Sequence, residues 1–134
     1  MREIKFRGKD DHGDWHYGDL WNVYKDDYAI RSRTTGKHCF IMSETIGQYT
    51  GMKDKNGTEI YEGDILGSDY GCNRVINFGR YTQPFNDDDN TCHIGFYVDW
   101  GCYDLFRQDI GYWSKSCTVI GNIHDNPEIM EEQV

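Results

Sequence analysis

The stretch of sequence that decides the fold is residues 46–65, which reads Ile46-Gly47-Gln48-Tyr49-Thr50-Gly51-Met52-Lys53-Asp54-Lys55-Asn56-Gly57-Thr58-Glu59-Ile60-Tyr61-Glu62-Gly63-Asp64-Ile65. Asn56-Gly57 is the strongest short-range signal for a β-hairpin, because both residues tolerate the positive φ of a tight turn. Thr50-Gly51 and Gly63-Asp64 predict one turn on each side, since Gly adopts positive φ and Asp accepts backbone N–H groups. The block therefore predicts turn, hairpin, turn and strand, and the backbone alone can require it.

Apolar residues recur at every second position on both sides of this block. The clearest run puts five of them on one face of residues 92–100, namely Cys92, Ile94, Phe96, Val98 and Trp100. This period predicts a strand with one face in water. Further strands are predicted at residues 3–7, 15–21, 28–30, 39–42, 74–78 and 118–123. Asp10, Asp11 and Gly13 predict a turn between the first two of these strands.

Helix signals are confined to the C-terminal end. Asn126 is suited to the N-cap and Pro127 to the first helical position, which predicts a short helix from residue 127. Gly18-Asp19 and Gly63-Asp64 each precede an apolar run, which predicts a recurring way of entering a strand. The whole pattern predicts an all-β fold with a short C-terminal helix.

Residues 46–65 closely resemble the signature of the YopX family of phage and prophage proteins. Residues 2–7 and 119–128 are similar to the beginning and the end of that family. The resemblance implies an all-β fold with barrel-like strands of SH3-like character, a phage or prophage origin and a homo-oligomer. It implies no known catalytic activity, cofactor or site residue. Residues 1–134 would form a single YopX-like domain, with two β lobes meeting near residues 46–58 as an open alternative.

The positions that carry this resemblance are interpreted as a structural signature. They are Gly47, Tyr49, Gly51, Asn56, Gly57, Gly63, Asp64, Gly121, Asn126 and Pro127. Gly, Asn, Asp and Pro are the residues that turns and helix starts require, so this signature predicts backbone geometry rather than a reaction centre.

Length and composition favour one globular domain. The chain has 134 residues, with 37% hydrophobic and 15% aromatic side chains, which is enough to build a core. No apolar run approaches the roughly 20 residues of a membrane span, and residues 1–5 do not resemble the start of a signal peptide. We therefore expect the cytoplasm of a bacterial host cell and no membrane partner.

The charge balance bears on partners. Fourteen Lys and Arg stand against 23 Asp and Glu, which gives a formal net charge of −9. Non-specific binding to nucleic acid requires a basic surface, so this charge disfavours such a partner. Aromatic side chains that could stack on bases are Trp15, Trp21, Trp100, Trp113, Tyr97, Tyr103 and Tyr112. Core and oligomer interface are the favoured roles for them.

The cysteines and histidines do not predict a metal site or a cofactor. The five cysteines, Cys39, Cys72, Cys92, Cys102 and Cys117, contain no CxxC pair and are an odd number. His38-Cys39 and Cys92-His93 are adjacent, and neighbours on a strand point to opposite faces, which argues against shared zinc. Residues 86–90 are acidic, but neither register of a calcium loop supplies its required Gly and Glu. We expect free thiols and no cofactor.

Catalysis has only a weak signal. Glu59, Glu62 and Asp64 are close in sequence and could supply paired carboxylates for a hydrolase. No GxSxG, GxGxxG or P-loop pattern occurs. The leading hypothesis is therefore a non-enzymatic phage or prophage accessory protein that acts by self-association and through a host or phage protein. The alternatives are an SH3-like module associated with nucleic acid and a hydrolase that uses the Glu/Asp cluster.

Overall fold

A computed structural model describes residues 3–67, 73–81, 93–99 and 110–131 of the protein. The described elements are ten β-strands, one 3-10 turn and two short helices. Two antiparallel sheets contain the strands, so the predicted all-β class is confirmed. Two compact units divide the chain between Gly51 and Met52.

The first unit is built from sequential antiparallel strands. They are β1 (Phe6–Lys9), β2 (Trp15–Tyr24), β3 (Asp27–Arg31), β4 (His38–Ile41) and β5 (Gly47–Lys53), with a 3-10 turn at Ser43–Thr45, and β5 continues into the second unit. The strand order of this sheet is β4-β3-β2-β1-β5, followed by β6 (Glu59–Tyr61). Short connections explain the order from β4 to β1, because an antiparallel pair needs only a tight turn. β5 is not a neighbour of β1 in sequence and returns to pair with it at Phe6 and Arg7.

At one end of this unit, the end of β4 approaches the end of β1 across the inner face of the sheet, and we call this the closed end. Ile30 and Ile41 are buried on that face, and a Cβ at Gly8 would overlap the side chain of Ile41. The backbone N–H of Met42, directly after β4, donates to the carbonyl of Lys9 at the end of β1 (2.8 Å). The hydrogen bond brings β4 back to β1, although β2 and β3 lie between them in the strand order.

The second unit contains four further strands and two short helices, namely β7 (Asp64–Gly67), β8 (Asn73–Tyr81), β9 (His93–Asp99), α1 (Ile110–Trp113), β10 (Thr118–Asn122) and α2 (Pro127–Glu131). The four strands form a sheet of order β10-β7-β8-β9. Its core contains Ile60, Leu66, Ile76, Val98, Ile110 and Cys117. Full burial of an Ile or Leu side chain contributes about 1.5–3 kcal/mol, so this cluster supplies most of the local driving force.

Two hairpin loops have the same backbone design. In the loop of residues 54–58, the N–H of Asp54 donates to the carbonyl of Thr58 (2.8 Å), and the N–H of Gly57 donates to the carbonyl of Asp54 (3.0 Å). Oδ1 of Asp54 accepts the N–H groups of Asn56 (2.8 Å) and Thr58 (2.9 Å). Gly57 has φ of 87°, which the predicted Asn-Gly hairpin requires.

The loop of residues 10–14 repeats this pattern. The N–H of Asp10 donates to the carbonyl of Asp14 (3.0 Å), and the N–H of Gly13 donates to the carbonyl of Asp10 (3.1 Å). Oδ1 of Asp10 accepts the N–H groups of His12 and Asp14, both at 2.9 Å. Gly13 has φ of 89°. The internal repeat of the chain is therefore an Asp-x-x-Gly hairpin loop.

The structure differs from two sequence predictions about glycine turns. Gly18 lies inside β2, where a Cβ would overlap the carbonyl oxygen of Arg31, whereas Gly63 lies in the turn directly before β7. The predicted resemblance between Gly18-Asp19 and Gly63-Asp64 is therefore wrong. Gly51 also lies within a strand, β5, and has φ of 86°. Its positive φ is used in the strand instead of in a separate turn.

The remaining predicted elements are present, but the first strand lies at Phe6–Lys9 instead of residues 3–7. Gly8 and Lys9 therefore belong to the strand, while Ile4 precedes it and is exposed. The strand predicted at 92–100 is β9, while Cys92 and Trp100 lie outside the described residues. Val98 on its apolar face is buried and Phe96 is half-buried, but Ile94 is exposed. The helix predicted from residue 127 is α2. The acidic stretch at 86–90 lies outside the described residues.

Candidate functional site

Three side chains with different ligand chemistry meet at the closed end of the first unit. Asp10 follows β1, His16 lies in β2 and Cys39 lies in β4. Their ligand atoms all lie within 4.8 Å of one another. Oδ2 of Asp10 is 2.8 Å from Nε2 of His16 and 3.9 Å from Sγ of Cys39. We call these three residues the Asp10 cluster.

The strand pairing explains how the three side chains come together. His16 pairs with Gly8 across β1 and β2, and Cys39 pairs with Ile30 across β3 and β4. The Met42–Lys9 hydrogen bond holds the end of β4 near the end of β1. Asp10 is fixed by its own turn, since Oδ1 accepts two backbone N–H groups and Oδ2 is left to face the other two side chains.

The electrostatics of the cluster centre on the carboxylate. The hydrogen bond from His16, followed by that from the backbone of Asp14, lowers the pKa of Asp10 from 3.8 to about 2. Burial, and then the negative charge of Asp10, raises the pKa of the Cys39 thiol. The carboxylate is therefore ionised at neutral pH, and the thiol carries its proton.

This arrangement does not activate a nucleophile. A cysteine nucleophile needs a base that removes its proton and a lowered pKa. Here the His16 ring faces the carboxylate, and the thiol also faces that carboxylate, so Asp10 stands between the two groups. The cluster instead presents one oxygen, one nitrogen and one sulfur donor toward a common point, which are the atom types that bind zinc.

The sequence pattern does not indicate this cluster. It predicts only that His38 and Cys39, as neighbours on a strand, point apart, and the His38 ring does pack elsewhere, on Trp21 with centroids 4.5 Å apart. Cys39 contacts Asp10, and the third member of the cluster is His16, whose strand β2 lies two strands away from β4 in the sheet order. The repeated Asp-x-x-Gly loops at 10–13 and 54–57 were the available signal, because they mark Asp10 as a turn residue with one carboxylate oxygen left over.

The basic side chains of residues 5–9 contact aromatic rings within the first unit. Arg7 and Lys9 lie over the ring of Trp15, at 4.6 and 5.6 Å from its centroid, and Lys5 lies 5.0 Å from the centroid of Tyr49. Such contacts contribute about 0.5–2 kcal/mol each and occupy faces on which a base would stack. These contacts do not favour a nucleic-acid platform here.

Ion pairs also neutralise a shallow cleft beside β1. Its lining is Glu3, Lys5, Tyr17, Gly18, Arg33 and Thr34. Glu3 lies 3.1 Å from Lys5 and 3.5 Å from Arg33, and Arg33 also contacts Asp19 at 2.8 Å. The two cations of this cleft are therefore matched by carboxylates of the same chain, so the cleft presents no net positive charge to an anion.

Comparison with known proteins gives the family. The model of the family described as YopX protein matches residues 5–131. The chain belongs to the YopX family. The crystal structure of protein EF1440 from Enterococcus faecalis is similar to this YopX chain, with 25% identity and a TM-score of 0.55 over 97% of this chain and 99% of that one. No curated protein sequence matches the chain.

The YopX signature residues lie in both units. Gly47 and Tyr49 are buried in β5, where Gly51 also lies, and Asn56 and Gly57 form the tip of an exposed hairpin loop. At the C-terminal end, Oδ1 of Asn126 accepts the N–H of Asn122, and a Cβ at Gly121 would overlap that amide. Pro127 begins α2.

The carboxylates predicted as a cluster in this YopX chain, Glu59, Glu62 and Asp64, have separate surroundings. Asp64 is buried, and its Oδ2 accepts the N–H of Tyr61 at 2.7 Å across the turn at Gly63. Glu59 contacts the hydroxyl of Tyr61 at 3.4 Å, and Glu62 is half-buried. Asp64 therefore holds a turn, which is a structural task and not the presentation of an acid to a substrate.

A two-stranded ribbon extends the apolar face of the second unit. Ile76 pairs with Val98, Phe78 with Phe96, and Arg80 with Ile94, so these residues share one face of β8 and β9. Ile76 and Val98 are 0% and 2% exposed, whereas Phe78 and Ile94 are 53% and 74% exposed. The Phe78 and Phe96 rings meet edge to face at 4.9 Å. We call Phe78, Phe96 and Ile94 the ribbon face.

The other predicted aromatic residues have separate surroundings. Trp113 packs against the core of the second unit, and Tyr97 stacks on Tyr81 at 5.4 Å on the opposite side of the ribbon. Tyr112 and Trp21 are exposed. Trp100 and Tyr103 lie outside the described residues.

None of the helices in the described parts of the chain is long and apolar enough to cross a membrane.

Proposed function

We propose that this YopX protein is a non-enzymatic accessory protein of a phage or prophage that acts as a homo-oligomer in the bacterial cytoplasm and engages a host or phage protein in that form. The observation that carries the proposal is the ribbon face, where an apolar surface continues from the core into solvent. Exposed apolar faces of this kind are typical of association sites.

The physics of a two-stranded ribbon supports the assignment. β8 pairs with β7 only at residues 73–75, so the part of β8 beyond them has β9 as its described partner. A two-stranded ribbon is marginally stable in water by itself and gains stability when its apolar face is covered. Covering Phe78 and Ile94 would contribute roughly 1–2 kcal/mol for each side chain.

A second copy of the chain is the occupant that this face fits. An antiparallel ribbon can meet its own copy around a two-fold axis, so that one aromatic and aliphatic surface covers the other. Phe is enriched in such interfaces, while charged residues are depleted at their centres. In the same ribbon Arg80 is exposed opposite Ile94 and provides a polar margin to the face.

The net charge of the chain predicts how its self-association depends on salt concentration. Two copies that each carry −9 repel one another, and salt screens this repulsion over a Debye length of about 8–10 Å near physiological ionic strength. Self-association should therefore strengthen as salt is added. Binding to nucleic acid would weaken under the same change, because counterions are released on binding.

The test is light scattering coupled to size exclusion on the full chain at two salt concentrations. Wild type is expected to form a dimer or higher oligomer at micromolar concentration. The double variant Phe78→Thr with Ile94→Thr places β-branched Thr, which strands tolerate well, at both positions and should shift the chain to monomer. Phe40→Thr, at an exposed position of the first unit, is the matched control and should leave the oligomer intact.

Several results would contradict the proposal. A wild-type chain that is monomeric at both salt concentrations would remove the oligomer. An oligomer that survives the double variant, or that is lost equally in Phe40→Thr, would remove the ribbon face as its interface. Salt-weakened binding to single-stranded DNA would favour the nucleic-acid alternative instead. Far-UV circular dichroism of each variant excludes loss of folding as the cause.

A further inference from the structure

We infer that Asp10, His16 and Cys39 form a binding site for a divalent transition metal, with zinc as the ion that best fits the donors. The three ligands are one carboxylate oxygen, one imidazole nitrogen and one sulfur, each of which is a common zinc ligand. They come from three separate strand ends, and no reaction step is assigned to them.

Two of the three distances between ligand atoms are close to those of a tetrahedral site, and the third, between Nε2 of His16 and Sγ of Cys39, lies within 4.8 Å. Zinc lies about 2.0–2.3 Å from such ligands, so ligand atoms around one ion are separated by roughly 3.3–3.7 Å. The Oδ2–Nε2 distance of 2.8 Å would lengthen slightly when a metal replaces the hydrogen bond, and the Oδ2–Sγ distance of 3.9 Å would shorten. Both changes are a few tenths of an ångström and are within reach of side-chain rotation.

The surroundings hold the ligands in advance of binding. Oδ1 of Asp10 accepts the N–H groups of His12 and Asp14, which orients the carboxylate so that Oδ2 faces the other ligands. Such hydrogen bonds to a metal ligand raise affinity because they fix its direction. With three ligands from the chain, the fourth position is left for water or for a donor from another molecule.

The second hairpin loop shows that this arrangement is not a by-product of the turn. Asp54 makes the same loop hydrogen bonds through Oδ1, but its Oδ2 accepts the backbone N–H of Val119 at 2.9 Å. A backbone donor offers no ligand to a metal. Within the described residues, the Asp10 cluster is the group in which at least three such donor atoms converge.

Cobalt substitution tests the site with a direct signal. Co²⁺ replaces zinc in tetrahedral sites. Cys39 releases its proton to solvent when the ion binds, and the bound thiolate gives a charge-transfer band in the near ultraviolet. Titration of reduced, metal-free protein with Co²⁺ should produce this band together with the visible bands of a tetrahedral ion. One equivalent of Zn²⁺ should then displace the cobalt and abolish both signals.

Matched variants identify the ligands. His16→Gln should weaken Co²⁺ binding on the order of 100-fold or more, because changes in the outer shell alone cost 10–100-fold. Cys39→Ser should remove the charge-transfer band. His12→Gln, at an exposed histidine of the same loop, should leave both the affinity and the band unchanged.

Zinc should also raise the thermal unfolding midpoint of wild type and His12→Gln but not of His16→Gln, because a ligand that binds only the folded state stabilises it. This second readout is independent of the spectrum. No charge-transfer band in wild type, or a band retained in Cys39→Ser, would overturn the inference. Weak binding that is equal in His16→Gln and His12→Gln would indicate surface binding and would overturn it as well.

Discussion

The hairpin loops at 10–14 and 54–58 have the same backbone and different attachments. In each loop an aspartate accepts two N–H groups through Oδ1, and a glycine adopts a positive φ close to 90°. Oδ2 of Asp54 accepts a backbone N–H from β10, whereas Oδ2 of Asp10 faces His16 and Cys39. The same turn therefore serves the fold alone at one position and holds side chains with metal-ligand chemistry together at another.

The largest effect on the free energy of unfolding is expected in the loop of residues 54–58. Asp54→Ala removes the acceptor of three backbone N–H groups, those of Asn56, Thr58 and Val119. Hydrogen bonds to a charged group contribute about 1.5–3 kcal/mol each, and buried donors without partners add a penalty, so we expect a loss of about 3–5 kcal/mol. Urea unfolding followed by tryptophan fluorescence measures it, and a loss below 1 kcal/mol would contradict this role for Asp54.

Asp10→Ala should destabilise the chain less than Asp54→Ala does. It also removes two backbone hydrogen bonds, but the partners of Oδ2 are side chains, and the His16 ring can turn to water. The same urea experiment, performed with a chelator present, gives the order of the two variants. If Asp10→Ala is the more damaging change, the proposed division between a structural loop and a ligand-holding loop fails.

Replacing the two loop glycines should have equal effects. Gly13 and Gly57 have φ of 89° and 87°, and a Cβ at either position would meet no atom within 4 Å. Gly13→Ala and Gly57→Ala should therefore each cost about 1–2 kcal/mol through backbone strain alone. Paired unfolding curves check this. A clear difference between the two variants would mean that the backbones of the two loops are not equivalent.

Acid should weaken the contribution of Asp10 to the folding stability of the chain over a narrow range of pH. Its pKa is about 2 in the folded chain and 3.8 ordinarily, so the folded state favours the ionised carboxylate. The resulting stability is present above the ordinary pKa and is lost as the pH falls from about 4 toward 2. The urea midpoint of wild type should fall more steeply over this range than that of Asp10→Asn. Parallel curves for the two proteins would contradict the assignment.

Much of the fold could be predicted from the sequence because the signals were local. Alternation of apolar residues marked the strands, and Asn56-Gly57 marked a hairpin whose geometry depends on those two residues. The exposure of Ile94 could not be predicted in this way. Period two assigns a residue to a face, but only the packing of other elements decides whether that face is covered at a given position.

The Asp10 cluster could not be predicted from the sequence for a related reason. Its members are separated by 6 residues between Asp10 and His16 and by 29 between Asp10 and Cys39. Their meeting depends on how far the sheet curves, which is set by the Met42–Lys9 hydrogen bond and by Gly8, where the backbone approaches Ile41. Such long-range closure leaves no mark in a local pattern.

The Met42–Lys9 hydrogen bond has a further consequence for how the first unit opens. Neither of the two strands can leave the other without breaking this contact, and the strands between them share the same closed face. Solvent exchange at the Met42 amide therefore distinguishes opening of the entire unit from fraying of β4 at the edge of its sheet. A single amide proton reports on whether this half of the molecule behaves as one cooperative body.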